Sequence, residues 1–282
     1  MTGIWPGRTR CVVMLTFDED GVSGWLRRDP QLANHPSLIS MGEFGPTVGT
    51  PRILELLGRY GIRASFFIPG YVAENHPDMV REVVRQGHEV GHHGYMHEAP
   101  SSLGPGEDEG AILDKGTRIL QELTGQRPLG YRSPSWELSE RSLDLLTERG
   151  FIYDSSLMGN DIPYFVPTSR GRLVELPVHW SLDDAPYYTY AAVLGRTAPM
   201  ASPQDVYNAW EWEFEGAYKY GRAFVLTMHP HTSGRLARLV ALERLIQHMK
   251  SHPGVEFMRC VDVAQGWTDK GLRRRRVASS RR

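Results

Sequence analysis

Short apolar runs alternate with amphipathic stretches along most of this chain, and each change of period predicts a change of element. Residues 11–17 form a continuous apolar run suited to a buried strand. The segment from Thr50 follows with helical spacing; Thr50 reads as its cap, Pro51 suits the first turn and Gly61 closes it. Residues 64–69 predict the next strand, and Pro77 opens a helix that sets Val80, Val83 and Val84 on one side before Gly87 stops it. Residues 89–91 read as a short strand, 112–123 as a helix, and 131–134 as a strand or turn. Ser139 is placed to cap a helix ended by Gly150, and 151–155 and 173–178 are strand-like. Ser202 and Pro203 open a helix bearing Val206, Trp210 and Phe214; a strand at 223–228, a helix at 236–249 and a strand at 255–260 complete the series. Strands alternating with helices imply an α/β fold of parallel strands covered by helices, which a barrel and an open sheet satisfy equally. No repeat or low-complexity linker interrupts the pattern, so residues 1–267 are expected to form a single domain, with 268–282 as a tail.

In either architecture reactive groups collect at the carboxyl ends of the strands, where the connecting loops are free to vary. The polar clusters of this chain fall there. Asp18 and Asp20 follow the first strand, His92, His93 and His97 the third, Arg132 and Trp136 stand near the fourth, and His229 ends a later one. Asp18-Glu19-Asp20 sets two carboxylates on one face of an extended backbone and turns Glu19 away. Two such charges raise one another's pKa unless a cation holds one of them ionised, although the same pair can also cap a turn. His93 and His97, four residues apart, can reach one ion from a helical turn or a tight loop. Singly, each reads as an ordinary surface or core histidine. With the Asp20 carboxylate they make a donor set with open positions, and oxygen and nitrogen donors without thiolate favour one divalent ion, zinc first, with iron, cobalt and nickel open.

His92 is left over, either orienting a ligand from behind or lying exposed. A bound cation acidifies water and polarises a carbonyl, which leaves Asp18 to accept a proton. The departing nitrogen needs a proton in turn, and His229, just before Pro230, is the candidate, with a purely structural histidine as the alternative. Arg132 is placed to keep Asp18 ionised through a paired hydrogen bond.

Composition narrows the field. Of 282 residues, 40% are hydrophobic and 23% charged, ordinary values for a globular protein with a sizeable core. A net charge of −1 supplies no field to recruit nucleic acid or an anionic membrane. Cys11 and Cys260 are the only cysteines, which excludes a disulfide framework and a thiolate zinc site. Residues 1–9 hold no apolar run of signal-peptide length and no later stretch is long enough to span a bilayer, so the chain reads as cytoplasmic. Arg273 to Arg276, Arg281 and Arg282 give the tail a basic character, suited to plain solvation or to an acidic partner.

Several separated motifs, in order, carry a resemblance. The run from Asp18 through Asp20 to Gly24-Trp25-Leu26, then Phe67-Ile68-Pro69-Gly70, Gly87-His88-Glu89 and His93-Gly94-Tyr95-Met96-His97-Glu98 resembles the polysaccharide deacetylase (NodB homology) superfamily, and within it the branch of peptidoglycan-deacetylase-like proteins and cyclic imide hydrolases. Arg132-Ser133-Pro134-Ser135-Trp136-Glu137, Asp154-Ser155-Ser156-Leu157-Met158, Leu182-Asp183-Asp184-Ala185-Pro186 and Met228-His229-Pro230 agree, so the likeness extends over about residues 10–265. It implies a distorted seven-stranded β/α barrel, a metal at Asp20, His93 and His97, Asp18 as base, His229 as acid and a homo-oligomer, a tetramer in that branch. Three positions depart from the better-known deacetylases: Glu19 separates the two acids, Ser135 stands where an aromatic residue usually follows Pro134, and their tryptophan-bearing fourth motif is missing. Leu182 to Pro186 stands in for that motif, with Asp183 or Asp184 lining the pocket, orienting His229 or simply forming a polar turn. Trp25, Trp136 and Trp180 are candidates to wall a flat substrate, or simply to pack the barrel mouth.

The expectation is a metal-dependent hydrolase of non-peptide, amide-type carbon–nitrogen bonds in a small amide or imide. The alternatives are an N-deacetylase of N-acetylated sugars or peptidoglycan fragments, and a non-catalytic carbohydrate-binding barrel.

Overall fold

The structure, a computed structural model, describes residues 4–268. The basic tail from Arg273 onward lies outside the described residues. Among the described residues nine strands form one sheet: β1 (Cys11–Asp18), β2 (Ser65–Ile68), β3 (Glu89–His92), β4 (Gly130–Tyr131), β5 (Tyr153–Asp154), β6 (Tyr164–Thr168), β7 (Gly171–Glu175), β8 (Ala223–Met228) and β9 (Val255–Phe257). Seven of them, in the order β7-β5-β4-β3-β2-β1-β8, make a continuous parallel path, in keeping with the expected barrel. The other two are additions: β6 is the antiparallel arm of a hairpin with β7, and β9 pairs with residues 11–13 at the start of β1.

The ring is completed by loops rather than by strand pairing. Along the outer edge of β8, the Ala223 N–H donates to the Asp161 carbonyl at 3.0 Å, and at the other end the Asp184 N–H donates to the Thr227 carbonyl at 3.1 Å. Asp183 bridges Thr227 in parallel register beside it.

Two cores follow from the period-two alternation of the strands. Cys11, Val13, Leu15 and Phe17 of β1 face the covering helices, with Phe66, Phe224 and Leu226 from neighbouring strands. Val12 and Met14 face the barrel interior with Phe67, Tyr153, Val174 and Val225. Extending the interior parity along each strand reaches Thr16, Asp18 and Asp20 from β1, His93 from β3, Arg132 from β4 and His229 from β8. The hydrophobic pattern thus aims these polar groups at one mouth.

Most predicted helices are present: Thr50–Tyr60, Pro77–Arg85, Glu109–Thr124, Pro203–Tyr220 and Leu236–Lys250. Ser202 caps its helix as expected by accepting from the Asp205 N–H, and Gly61 closes its own at φ +63°. Thr50 does not act as a cap. The chain is already helical from Pro36, passing through a π-turn at Gly45–Gly49, and the Thr50 hydroxyl donates instead to buried Glu19. Ser139 also stands off its helix, which begins at Ser142; its hydroxyl accepts from the Arg141 N–H at 3.1 Å. The last strand ends at Phe257 rather than at 260, because Cys260 opens a helix over 260–268 whose first N–H groups donate to Ser65 at 2.8 Å and, from Val261, to Glu89 at 3.0 Å. No helix among the described residues is long and apolar enough to cross a membrane.

Candidate active site and metal centre

Asp20, His93 and His97 converge at the barrel mouth. Asp20 Oδ1 lies 3.4 Å from His93 Nε2, and Asp20 Oδ2 lies 3.4 Å from His97 Nε2. The three donor atoms lie within 4.8 Å of one another, a spread that one cation can span. His93 Nδ1 donates to the Arg132 carbonyl at 2.7 Å, so the lone pair of a neutral ring sits on Nε2 and faces the carboxylate. Asp20 Oδ1 is buried and has no hydrogen-bond partner among the described residues, as expected of an atom reserved for a cation. The residues present therefore fit a divalent metal ion. Burial pushes the Asp20 carboxyl upward, but His97, His93 and His229 outweigh it and hold the group well below the usual carboxylate range. Burial presses His97 below its ordinary value, toward the neutral ring that ligation requires. On His93 burial acts the same way and is overcome by Asp18 and Asp20, which raise it.

The loop that delivers His97 is strained. His97 takes φ +59°, a left-handed conformation that costs a side-chain-bearing residue roughly 1–2 kcal/mol. Glu98 holds the turn in place by accepting the N–H groups of Tyr95 at 2.8 Å and Met96 at 2.9 Å. Gly24 admits the ring, since a Cβ there would stand 2.9 Å from His97 Nδ1.

Arg132 lies fully buried under the site. Its Nη1 donates to Asp18 Oδ1 at 2.8 Å and to the Thr16 hydroxyl at 2.7 Å, while Nε and Nη2 bind the Ser155 carbonyl and hydroxyl at 3.1 and 2.9 Å. The guanidinium carbon stands 4.3 Å over the Phe67 ring. Asp18 is thereby held with Oδ1 paired and Oδ2 turned to the mouth, 3.9 Å from His93 Nε2.

His229 approaches from β8 with Nε2 3.6 Å from Asp20 Oδ2. Asp184 holds it at two points: Oδ1 accepts from Nδ1 at 2.6 Å and Oδ2 accepts the His229 main-chain N–H at 2.9 Å. Ser233 donates to the same carboxylate. Burial opposes the imidazolium, but Asp184, Asp183 and Asp20 raise His229 well above its ordinary value. Of the two acids left open by the sequence, Asp184 is the one that orients His229. Asp183 faces the pocket, accepts the Ala185 N–H at 2.7 Å and lies 3.7 Å from His229 Nδ1; burial pushes its carboxyl up to about 7, with His229 opposing.

A cavity of about 430 Å³ opens on these groups, and Trp25, Trp136, Trp180 and Asp183 line it. The Trp136 and Trp180 rings lie 4.3 Å apart between centroids, and Ser135 and Trp136 reach this wall through φ values of +56° and +55°. His92 is neither exposed nor behind a ligand. It has the wrong strand parity, is fully buried, and bonds the Leu113 carbonyl at 3.1 Å and the Gly94 N–H at 3.1 Å. Sequence reasoning also passed over His231, Arg28 and Arg196, which line the cavity. The repeat of His229 at His231 was the one available signal.

Fold and site together define a parallel α/β barrel whose mouth carries a carboxylate and two histidines fit for a divalent metal ion. The chain belongs to the polysaccharide deacetylase family, whose model matches residues 7–153. A peptidoglycan deacetylase of Helicobacter pylori is 34% identical over 94% of this chain and 98% of its own length. Among solved structures, a protein of Mycobacterium smegmatis assigned to the polysaccharide deacetylases superposes with a TM-score of 0.91 and 37% identity, covering 96% of this chain and 95% of that one. An allantoinase superposes with a TM-score of 0.81 and 27% identity over 93% and 92%. The protein is thus a hydrolase acting on non-peptide carbon–nitrogen bonds.

Proposed function

We propose that this chain hydrolyses a small cyclic amide or imide, with Asp20, His93 and His97 holding one divalent cation, zinc first among the candidates. The observation that carries the substrate class is the compact cavity of about 430 Å³ with tryptophans on its wall, which suits a planar ring better than a run of linked sugars. The allantoinase, whose name refers to a cyclic ureide, supports the same class.

When bound, the cation supplies a Lewis acid for the carbonyl and lowers the pKa of water. Asp18 then takes the proton from the attacking water, because Arg132 occupies its other oxygen and leaves Oδ2 free at the mouth. His229 gives its Nε2 proton to the leaving nitrogen while Asp184 keeps Nδ1 occupied, so the ring presents one defined face. Trp25, Trp136 and Asp183 contact the substrate in this reading.

A second reading, N-deacetylation of a soluble N-acetylated sugar or peptidoglycan fragment, is favoured by the Helicobacter pylori relative. The two share residues and differ in substrate. Turnover of succinimide and a dihydropyrimidine is compared with acetate release from N-acetylglucosamine oligomers, using metal-replete protein and Asp18→Asn as the blank. Ring opening supports the first reading; acetate release without ring opening replaces it with the second. The same reading takes the protein as a cytoplasmic homo-oligomer, a tetramer, for which light scattering on the full chain gives the mass.

A further inference from the structure

Away from the mouth, the helices Pro203–Tyr220 and Leu236–Lys250, with the turn after the second, bring Glu211, Glu215, His248 and His252 together. His252 stands two residues before Gly254, whose carbonyl accepts the Arg10 N–H at 2.7 Å beside the start of β1, so the cluster lies at the end of the sheet remote from Asp18. Glu215 Oε1 is 2.8 Å from His248 Nε2 and 3.2 Å from His252 Nε2. The donor atoms of these three residues lie within 4.8 Å of one another, as at the mouth.

The hydrogen bonds behind the rings decide what this means. His252 Nδ1 lies 2.9 Å from the His248 carbonyl, an acceptor only, so Nδ1 carries a proton. The Ser251 hydroxyl, 3.4 Å from the same nitrogen, already donates to that carbonyl and does not displace it. A neutral His252 ring therefore points its Nε2 lone pair at a carboxylate oxygen, which is repulsive unless a cation stands between them. His248 is hydrogen-bonded through Nε2 to Glu215 Oε1, and its Nδ1 faces Glu211 Oε1 at 3.7 Å, too far for a hydrogen bond; that oxygen accepts from the Tyr207 hydroxyl at 2.6 Å. A main-chain carbonyl behind the ring, as His252 has, is a usual support for a metal-ligating histidine. The Phe214 ring lies against both imidazoles, with centroids 5.7 and 5.1 Å away.

We propose that Glu215, His248 and His252 form a second metal site, for a divalent transition ion of the zinc, nickel or copper kind, which clamps the two outer helices together. Two imidazoles and one carboxylate suit those ions and not magnesium or calcium. Chelation ties the first helix at Glu215 to the end of the second and the turn that follows it, and leaves the catalytic mouth untouched.

The test is zinc titration of the full chain in a background of Asp20→Asn with His97→Ala, which disables the centre at the mouth, with bound zinc counted after desalting. One equivalent should remain there, and none once His252→Ala or the isosteric Glu215→Gln is added. In an otherwise wild-type chain, Glu215→Gln should keep turnover within twofold, and in the background with the mouth disabled it should abolish the zinc-dependent rise in Tm. A background that retains no zinc overturns the proposal, as does zinc unchanged by both added variants. In either case protons alone, not a metal, hold the cluster together. Loss of zinc or activity through the Asp20 group bears only on the catalytic reading.

Discussion

Replacing Asp184 with asparagine separates orientation from charge at His229. The carboxylate accepts twice from that residue, at Nδ1 over 2.6 Å and at the main-chain N–H over 2.9 Å. An amide of the same shape has one oxygen and cannot serve both, because its NH₂ end would face a donor. A hydrogen bond to a charged partner is worth about 1.5–3 kcal/mol, and one pKa unit is about 1.36 kcal/mol, so the variant should lower His229 by roughly one to two units. Burial, which already opposes the imidazolium, is then less compensated. The His229 value is raised in the folded state, so the stability it contributes is fully present below the unfolded histidine pKa of about 6.5 and lost as pH rises through the native value. Asp184→Asn should flatten that alkaline loss. In activity, the alkaline limb of kcat/KM should move down by about one to two pH units, with a lower plateau. The assay is a pH series on both proteins with the best substrate from the screen, with circular dichroism confirming the fold. A limb that stays in place, whatever the loss of rate, would refute Asp184 as the group that keeps His229 protonated.

Other expectations follow from the same contacts. His93→Ala and His97→Ala should each lose the metal of the mouth together with activity, by elemental analysis, and full retention in both would remove the tripod. Asp18→Asn should retain metal while losing on the order of 10²–10⁴ in kcat, and a loss below about tenfold would count against its role as base. Arg132→Met leaves Asp18 buried without its partner and should destabilise the fold by roughly 3–5 kcal/mol in urea unfolding, whereas a change under about 1 kcal/mol would mean that the pair is dispensable.

Strands with strong apolar runs were legible in the sequence, and 223–228 agrees with β8 end to end. The strand periodicity also carried site information left unused: parity along β3 sends His93 inward and His92 toward the helices, which settles the spare histidine without any structure. Less legible was whatever depends on tertiary contact. Thr50 has the residue type of a cap, but its hydroxyl is claimed by a glutamate 31 positions away. The hairpin of β6 was not read, since its side chains are mostly half-buried and it lies at the margin of the sheet. Asp183 and Asp184 could not be ranked, because their roles depend on which one meets β8 with its main chain and which with its side chain.

That junction has a consequence for how such an enzyme can diverge. The segment running from Trp180 through Asp183 and Asp184 to Pro186 walls the pocket, closes the ring of the barrel against Thr227 and anchors His229, the proposed acid, all within seven residues. A lineage that alters this wall to admit a new substrate disturbs His229 at the same stroke. New specificities should therefore arise first at Trp25 and Arg28, which line the pocket without bonding His229 or Asp184.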